Sequence, residues 1–324
     1  MTKSLLLIFP LICLICSCNK KEVQIEPEIT YGITSKEFIN NLLFVNKNNY
    51  QITTEQPGTF ASNDSHITIT PKGLITSILS GEVVAIDITW INTGEKTKLY
   101  AVGATDNNYI APFVEYHGAE SNDPYSQYVQ GWETLRKLAE SENTYAIILR
   151  HADADNGKDF SETTGPSNWW LSCDNTLARQ LNTQGIERAT ELGLIYKDLQ
   201  LPIVRVISSE FCRALKTAEL INAGLTIKTD GRINHPAYNV YGNLFKGLGK
   251  ILSELPVDKK ITLISTHHPI NEFHESLPTF PKVSVFNWTG AYFIKIAANK
   301  SFTYEGAASY GMMKLNRDLK LNKL

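Results

Sequence analysis

The second half of the chain alternates apolar runs with segments of helical periodicity, and this alternation constrains the fold more than any other feature. Strands joined by helices favour a parallel sheet, because a helical crossover brings the chain back to the edge where it started. We therefore predict an α/β domain over residues 144–310, with a doubly wound, mostly parallel sheet and helices on both faces. The predicted strands are 145–149, 203–208, 261–264, 292–296 and 302–304, and the predicted helices are 185–196, 213–223 and 244–255.

Three of the predicted strands end in residues suited to phosphate. Arg150 and His151 follow the first strand, Arg213 lies just beyond the second, and His267 lies just beyond the third. In an open α/β sheet the carboxyl ends of the strands gather in one crevice. Arginine forks make bidentate contacts with phosphate, and a neutral imidazole can accept a phosphoryl group. We expect His151 to be a nucleophile and Arg150, Arg213 and His267 to be phosphate ligands; alone, Arg150 and His151 would be an ordinary strand end.

Four short segments resemble the histidine phosphatase superfamily, in its phosphoglycerate-mutase-like branch. They are Leu149-Arg150-His151-Ala152, residues 181–185 (LNTQG), residues 208–218 (SSEFCRALKTA) and residues 265–267 (STH). The resemblance covers roughly residues 133–304. It implies a phosphoglycerate-mutase-like fold, places Arg150 and His151 at the Arg-His pair, and makes Arg213 and His267 the second arginine and second histidine. Ala152 departs from the glycine that usually follows the pair, which is a minor change.

The proton donor is open at the level of sequence. Many relatives supply a carboxylate after the second arginine, near the segment that here contains His235. A histidine can donate a proton near neutral pH. Asp153 and Glu210 are also close to the motifs, so three candidates remain; the alternative is a phosphatase that relies on a good leaving group or on water.

A metal site at His267 and His268 is a weaker interpretation. These two residues lie close to Glu272, His274 and Glu275, and side chains of this kind can ligate zinc. Pro269 interrupts a helix there, and the spacing matches no familiar zinc-protease pattern. We therefore expect neither a metal nor a cofactor.

Residues 22–105 have the pattern of an all-β domain. Short alternating runs rich in Thr, Ile and Val are separated by turn residues, with strands at the spacing of a sandwich. The segment 69–81 resembles bacterial immunoglobulin-like repeats, which implies a small immunoglobulin-like sandwich serving as a spacer or adhesion module. Residues 106–143 then form a linker and a docking helix, and residues 311–324 form a C-terminal tail.

The N-terminus predicts export. Lys3 precedes an apolar run at 5–15 that is too short to span a bilayer comfortably. Residues 15–18 (ICSC) resemble the lipobox of bacterial lipoproteins, which makes 1–18 a signal peptide and Cys18 the lipidated residue; the alternative is a plain secretory signal. The expected location is the bacterial cell envelope, anchored to the outer membrane.

Two cysteines, Cys173 and Cys212, lie outside the leader, and cysteines in an exported protein tend to pair. We predict a Cys173–Cys212 disulfide, with two buried free thiols as the alternative. The resemblance supports the pairing, because an exported-type subgroup of the family has cysteines at comparable places.

The charge balance limits the partners. With 31 basic and 33 acidic residues and a net charge of −2, the chain gives no reason to expect nucleic acid. We predict a lipid-anchored phosphatase that hydrolyses a phosphorylated small molecule or glycan through a phosphohistidine on His151. The alternative is a surface binding or adhesion protein whose phosphatase-like domain captures phosphorylated ligands without catalysis.

Overall fold

The structure is a computed structural model that describes residues 32–105, 124–160, 164–268 and 287–324. The predicted signal peptide, the lipidation site Cys18 and most of the predicted linker lie outside the described residues. The same holds for Glu272, His274 and Glu275 of the alternative metal site.

The N-terminal region consists of two β-sheets around a core of their own. Strand β7 shows why it folds this way: Val84, Ile86, Ile88 and Trp90 alternate along it and are all buried. A five-stranded sheet has the order β1-β2-β8-β7-β4, and a three-stranded sheet has the order β3-β6-β5. The strands are β1 Phe38–Ile39, β2 Leu42–Val45, β3 Tyr50–Gln51, β4 Gly58–Ala61, β5 Ile67–Ile69, β6 Leu74–Ile78, β7 Val83–Trp90 and β8 Lys96–Gly103.

The second region is the mixed α/β fold that the alternation predicts. Its six-stranded sheet has the order β11-β10-β12-β9-β13-β14, in which the first four strands run parallel and the last two are antiparallel to their neighbours. The elements are α1 Pro124–Lys137, β9 Thr144–Arg150, α2 Thr183–Asp198, β10 Ile203–Ser208, α3 Cys212–Ile221, β11 Ile227–Thr229, α4 Leu244–Glu254, β12 Ile261–Thr266, β13 Ala291–Ile296, β14 Phe302–Ala308 and α5 Tyr310–Lys320.

Both faces of this sheet are covered by helices. Strand β9 is buried on both sides, which explains its continuous apolar sequence. Ile147 and Leu149 join the core beneath α2, α3 and α5, whereas Ala146 and Ile148 join the core beneath α4. Removing either layer would expose one side of the central strands to water.

The two regions share a hydrophobic core. Helix α1 carries Tyr128 and Trp132 into a cluster that also includes Leu42 and Phe44 from the N-terminal sheet. The indole Nε1 of Trp132 donates to the carbonyl oxygen of Asn40 at 3.2 Å. This helix therefore docks on the α/β region, as its spacing predicts, and also binds the β-region to it.

The segment 311–324 is not a separate tail. Helix α5 begins at Tyr310 and buries Met312, Met313 and Leu315 in the core shared with α1 and α2. The segment predicted as a tail thus carries a helix whose apolar residues recur at helical spacing.

No helix in the described part of the chain combines the length and the apolar character needed to cross a membrane.

Candidate active site

The candidate site lies where three neighbouring strands end. Strands β10, β12 and β9 are adjacent and parallel, so their carboxyl ends open on the same edge of the sheet. The backbone N–H of His151 donates to the carbonyl oxygen of Thr266 at 2.9 Å, which extends the pairing of β9 with β12 by one residue. The topology thus brings together Arg150, His151, Arg213 and His267, although they are separated by up to 117 positions in sequence.

The imidazole of His151 has a defined orientation and tautomer. Its Nδ1 lies 2.8 Å from the carbonyl oxygen of Ala152. A carbonyl can only accept, so Nδ1 carries the proton and Nε2 presents its lone pair. Burial, with the charges of Arg213 and Arg150, holds the pKa of His151 well below its ordinary value of 6.5. This imidazole is therefore neutral, with Nε2 as its basic atom.

Arg213 lies directly beside that basic atom. Its Nε donates to His151 Nε2 at 3.2 Å, and its guanidinium stacks 4.5 Å from the ring centre of Phe211. Asp159 accepts from Arg213 Nη1 at 3.1 Å and from Arg179 Nε at 2.9 Å. Burial lowers the pKa of Arg213 to about 10, which still leaves it charged at neutral pH. A dense group of two guanidiniums and one carboxylate thus adjoins the His151 ring.

Thr217 connects helix α3, which carries Arg213, to the end of strand β9, which leads to His151. Its hydroxyl donates to the carbonyl oxygen of Arg213 at 2.8 Å and accepts from the backbone N–H of Ala152 at 3.0 Å. The side chain is fully buried. Because both hydrogen bonds depend on the same oxygen, Thr217 fixes the distance between the residue after His151 and the first turn of α3.

His267 is held by a second polar network. Its Nε2 lies 2.8 Å from the hydroxyl of Ser209, which in turn donates to Asn234 Oδ1 at 2.9 Å. Ser209 therefore accepts from His267, which places a proton on Nε2. The ring lies 5.3 Å from that of His151, and burial together with Arg213 holds the pKa of His267 well below 6.5.

Arg150 stands at the more open side of the site. Its guanidinium lies 5.2 Å from the ring centre of Trp288, and its charge helps to lower the pKa values of His151 and His267. Whereas His151, Arg213 and His267 are each at most 4% exposed, Arg150 is only partly buried.

The three candidate acids occupy different surroundings. Asp153 pairs with Arg188 Nη1 at 3.3 Å, and Glu210 accepts from the Asn234 amide at 2.8 Å. The His235 ring lies 6.2 Å from that of His267, and its buried Nδ1 has no hydrogen-bond partner among the described residues. Burial and the charge of Arg213 lower the pKa of His235. His235 thus lies next to one of the two site histidines, His267.

An aromatic cluster packs against His267 and Arg213. Phe211 lies 4.6 Å from the His267 ring, and Trp169, Trp170 and Tyr238 pack around Phe211. The disulfide between Cys173 and Cys212, with a Cα–Cα distance of 5.3 Å, ties the segment after these tryptophans to the first residue of α3. The predicted pairing is thus present, one residue before Arg213.

The LNTQG segment, residues 181–185, holds the loop that follows His151 in place. The Asn182 side chain accepts from the Gly185 N–H at 2.7 Å and caps α2, while the Asn182 N–H donates to the carbonyl oxygen of Asp153 at 3.0 Å. A Cβ on Gly185 would collide with the Asp153 backbone. The motif therefore positions the loop that follows His151.

Sequence reasoning missed four contributors to the site: Asp159, Ser209, Thr217 and Asn234. Ser209 and Thr217 were inside a quoted motif, but nothing in their residue types revealed that their hydroxyls connect different strand ends. Asp159 lies outside the motifs and 54 positions before Arg213, and only the fold brings the two together. Within the described residues, no three His, Cys, Asp or Glu side chains gather in a way that could hold a metal ion.

Fold and site together define an α/β domain with paired histidines and arginines clustered at the carboxyl edge of its sheet. Residues 147–248 match the family "Histidine phosphatase superfamily (branch 1)". The chain therefore contains a histidine phosphatase superfamily domain in this range, which confirms that part of the resemblance. His267 lies beyond the matched residues.

Solved structures similar to this chain include three phosphatases. The protein histidine phosphatase SixA complexed with tungstate is 18% identical, covering 51% of this chain and 97% of its own (TM-score 0.38). Phosphoserine phosphatase from Entamoeba histolytica is 16% identical, covering 52% and 99% (TM-score 0.37). Mycobacterial glucosyl-3-phosphoglycerate phosphatase is 13% identical, covering 51% and 99% (TM-score 0.35). No curated protein sequence matches the chain significantly. The domain assignment rests on the family match.

Proposed function

We propose that the protein is a phosphatase that hydrolyses phosphomonoesters through a phosphohistidine formed on His151. The observation that carries this proposal is the tautomer of His151: Nδ1–H is bonded to Ala152, and the basic Nε2 faces Arg213. An oriented neutral imidazole surrounded by guanidinium groups is suited to attack a phosphate that those groups bind.

In the first half of the reaction, Nε2 of His151 attacks phosphorus. The N–P bond forms as the bond from phosphorus to the ester oxygen breaks, and the leaving alcohol takes a proton from an acid. Arg150, Arg213 and His267 contact the phosphoryl oxygens, whose negative charge they stabilise. The Ala152 carbonyl keeps the ring aligned and stabilises the positive charge that develops on it. To contact phosphate, the Nε of Arg213 exchanges its bond to His151 for one to the substrate.

In the second half, water attacks the phosphohistidine. The N–P bond breaks, inorganic phosphate leaves, and His151 regains its neutral form. The group that gave its proton to the leaving alcohol takes one from the attacking water, so the protons balance over the cycle.

We assign the acid role to His235. Its ring adjoins that of His267, and its buried Nδ1 has no partner among the described residues, so a substrate oxygen could engage it. Asp153 and Glu210 are each bonded to another side chain, Arg188 and Asn234 respectively. Because burial and the charge of Arg213 lower the pKa of His235, its protonated form needs more acidic solution than that of an ordinary histidine. Binding of an anionic substrate favours the same form.

The proposal also includes export and lipidation at Cys18, with the protein held at the bacterial cell envelope. The lipobox-like residues 15–18 after an apolar run support it. Expression in a bacterium with radiolabelled palmitate should label the membrane fraction, and Cys18→Ser should abolish the label. Labelling that survives Cys18→Ser would contradict the assignment of the anchor.

The catalytic proposal is tested by hydrolysis of 4-nitrophenyl phosphate by the full chain. We expect activity that a chelator leaves unchanged, that His151→Ala abolishes, and that produces an acid-labile phosphoprotein after rapid quenching. Wild-type protein as inactive as His151→Ala would refute catalysis and favour the binding protein. Sensitivity to the chelator would instead indicate a metal mechanism.

The acid is identified by varying the leaving group. Loss of the acid should affect a poor alkyl leaving group far more than 2,4-dinitrophenolate, which leaves without a proton. We expect His235→Gln to show this selective loss, by about two orders of magnitude, and Asp153→Asn and Glu210→Gln not to show it. The same selectivity in either carboxylate variant would transfer the role to that residue.

A further inference from the structure

A short turn over residues 287–290 contacts the backbone of both Arg150 and His151. The Gly290 N–H donates to the carbonyl oxygen of Asn287 at 2.9 Å, which closes the turn. Gly290 accepts from the Arg150 N–H at 3.0 Å, and the Thr289 N–H donates to the carbonyl oxygen of His151 at 3.4 Å. Thr289 is a buried β-branched residue with a φ of +57°, a conformation that persists only where the surroundings impose it. The turn is therefore held against the end of β9.

The same turn places an aromatic ring beside Arg150. The ring centre of Trp288 lies 5.2 Å from Arg150 Cζ, within the range of a cation–π contact. Arg150 also lines a cavity of about 360 Å³, whose other walls include Glu82 and Gln184. Because the cavity leaves the side chain room to move, the orientation of the guanidinium depends on the contacts that it keeps. Trp288 supplies one of these contacts.

The first residue of the turn is bound to the N-terminal β-region. The Asn287 amide donates to the carbonyl oxygen of Ser80 at 3.0 Å. Ser80 belongs to a turn over residues 79–82, which a backbone hydrogen bond of 3.2 Å closes. The Gly81 N–H donates to the carbonyl oxygen of Gly103 in β8 at 2.8 Å. The acceptor of the Asn287 amide is thus fixed to the five-stranded sheet.

Gly81 allows the two turns to approach each other closely. Its φ is +83°, which lies in the left-handed region that glycine adopts without strain. A Cβ at this position would collide with the Asn287 amide and would lie 2.8 Å from the Tyr128 hydroxyl. The β-region therefore packs directly against the turn that holds Arg150.

We propose that the β-region positions Arg150 for phosphate binding, acting through Asn287 and Trp288. Contacts lead from Ser80 to Asn287, and from the 287–290 turn to both the backbone and the guanidinium of Arg150. Asn287 and Trp288 are positioning residues, and the β-region takes part in phosphate binding without contacting the phosphate. This inference rests on the proposed function, because it takes Arg150 as a phosphate ligand.

The first experiment removes the ring beside Arg150. We expect Trp288→Ala to raise the Kd of inorganic phosphate by about tenfold, roughly 1.4 kcal/mol, and to raise KM for 4-nitrophenyl phosphate similarly. Trp288→Phe keeps a ring and should raise the Kd by less than about threefold. Isothermal titration calorimetry on the full chain gives the Kd and the number of binding sites separately. A merely structural role would lower the number of sites and leave the Kd unchanged.

The second experiment displaces the turn from the side of the β-region. Gly81→Ala should raise the same Kd by about threefold or more. Gly94→Ala is the matched control, because Gly94 has a φ of +71° in the same region but its Cβ would meet nothing within 4 Å. Both variants carry a similar backbone cost, and of the two only Gly81→Ala pushes on Asn287. In an Asn287→Ala background, Gly81→Ala should have little further effect, because the contact through which it acts has been removed.

Three outcomes would overturn the inference while the phosphatase function stands. They are a wild-type Kd in Trp288→Ala, equal Kd values in Gly81→Ala and Gly94→Ala, and additive losses when Gly81→Ala is combined with Asn287→Ala. A wild-type protein that binds phosphate but does not hydrolyse 4-nitrophenyl phosphate would refute the proposed function, and the Kd comparison would still decide the positioning role. A wild-type protein that neither binds phosphate nor hydrolyses the ester would refute both.

Discussion

Replacing Thr217 with valine tests whether one buried hydroxyl positions both His151 and Arg213. Valine keeps the shape of the side chain but removes the oxygen that accepts from the Ala152 N–H and donates to the Arg213 carbonyl. The carbonyl has a second lone pair, but the Ala152 N–H is left buried without an acceptor. An unsatisfied buried donor costs about 1–3 kcal/mol, so we expect the free energy of unfolding to fall by about 2 kcal/mol.

The loss of activity in Thr217→Val should exceed the loss that the lower free energy of unfolding alone would cause. Without the hydroxyl, the Ala152 N–H loses its hydrogen bond to α3, so the residue after His151 can shift, and displacements of about 1 Å can reduce catalysis by about a hundredfold. The assays are urea unfolding followed by tryptophan fluorescence, and kcat/KM for 4-nitrophenyl phosphate. Thr217→Ser keeps the oxygen and should retain most of the activity.

Thr190 offers a matched control. It too lies in a helix and donates to the carbonyl four residues earlier, at 2.8 Å, but its side chain is exposed. Thr190→Val should change the free energy of unfolding by less than about 0.5 kcal/mol. If Thr217→Val and Thr190→Val behave alike in both assays, the positioning role of Thr217 is refuted.

Three further perturbations follow from the structure. The pKa values of His151 and His267 lie below 6.5 in the folded state, so the unfolded chain binds more protons below pH 6.5. The free energy of unfolding should therefore fall as the pH drops from 6.5, by at most about 1.4 kcal/mol per pH unit for each histidine. An equally steep fall in His151→Gln would contradict this. Replacing both Cys173 and Cys212 with alanine removes a disulfide that spans a sequence separation of 39, and it should lower the free energy of unfolding by up to about 4 kcal/mol. Peptide mapping of the wild type without reductant should recover the linked pair. Two free thiols there would refute the link. Trp132→Ala removes a fully buried ring from the shared core and should cost about 3–5 kcal/mol in urea unfolding, whereas a loss below 1 kcal/mol would show that the two regions are not bound through this helix.

The sequence predicted the α/β region well because its signals are local and repetitive. Strand β10 coincides with the predicted range 203–208, and the other predicted strands and helices of this region differ from the observed ones mainly at their ends. Apolar runs bounded by polar residues define strands buried on both faces, and caps such as Asn182 mark where helices begin. The helix at 310–320 was not predicted, although Met312, Met313 and Leu315 give it an apolar face.

The chemistry of the site was also largely encoded in residue type and position. Arg150, His151, Arg213 and His267 could be nominated because each follows a predicted strand, and strand ends of a parallel sheet meet at one edge. The tautomer of His151 could not be foreseen, because it depends on the direction of the Ala152 carbonyl.

Only the tertiary structure decided which groups surround those four residues. Asp159 reaches Arg213 across 54 positions of sequence, Thr217 of α3 bonds to the backbone of Ala152 after β9, and the β-region lines a cavity at Arg150. These contacts arise between segments that have no periodic relation in sequence. The sequence by itself therefore determined the helices, the strands and the reactive side chains, because local sequence patterns specify them. Packing decided their orientation, their pKa values and the cavity beside them, because burial and distance exist only once the elements have come together.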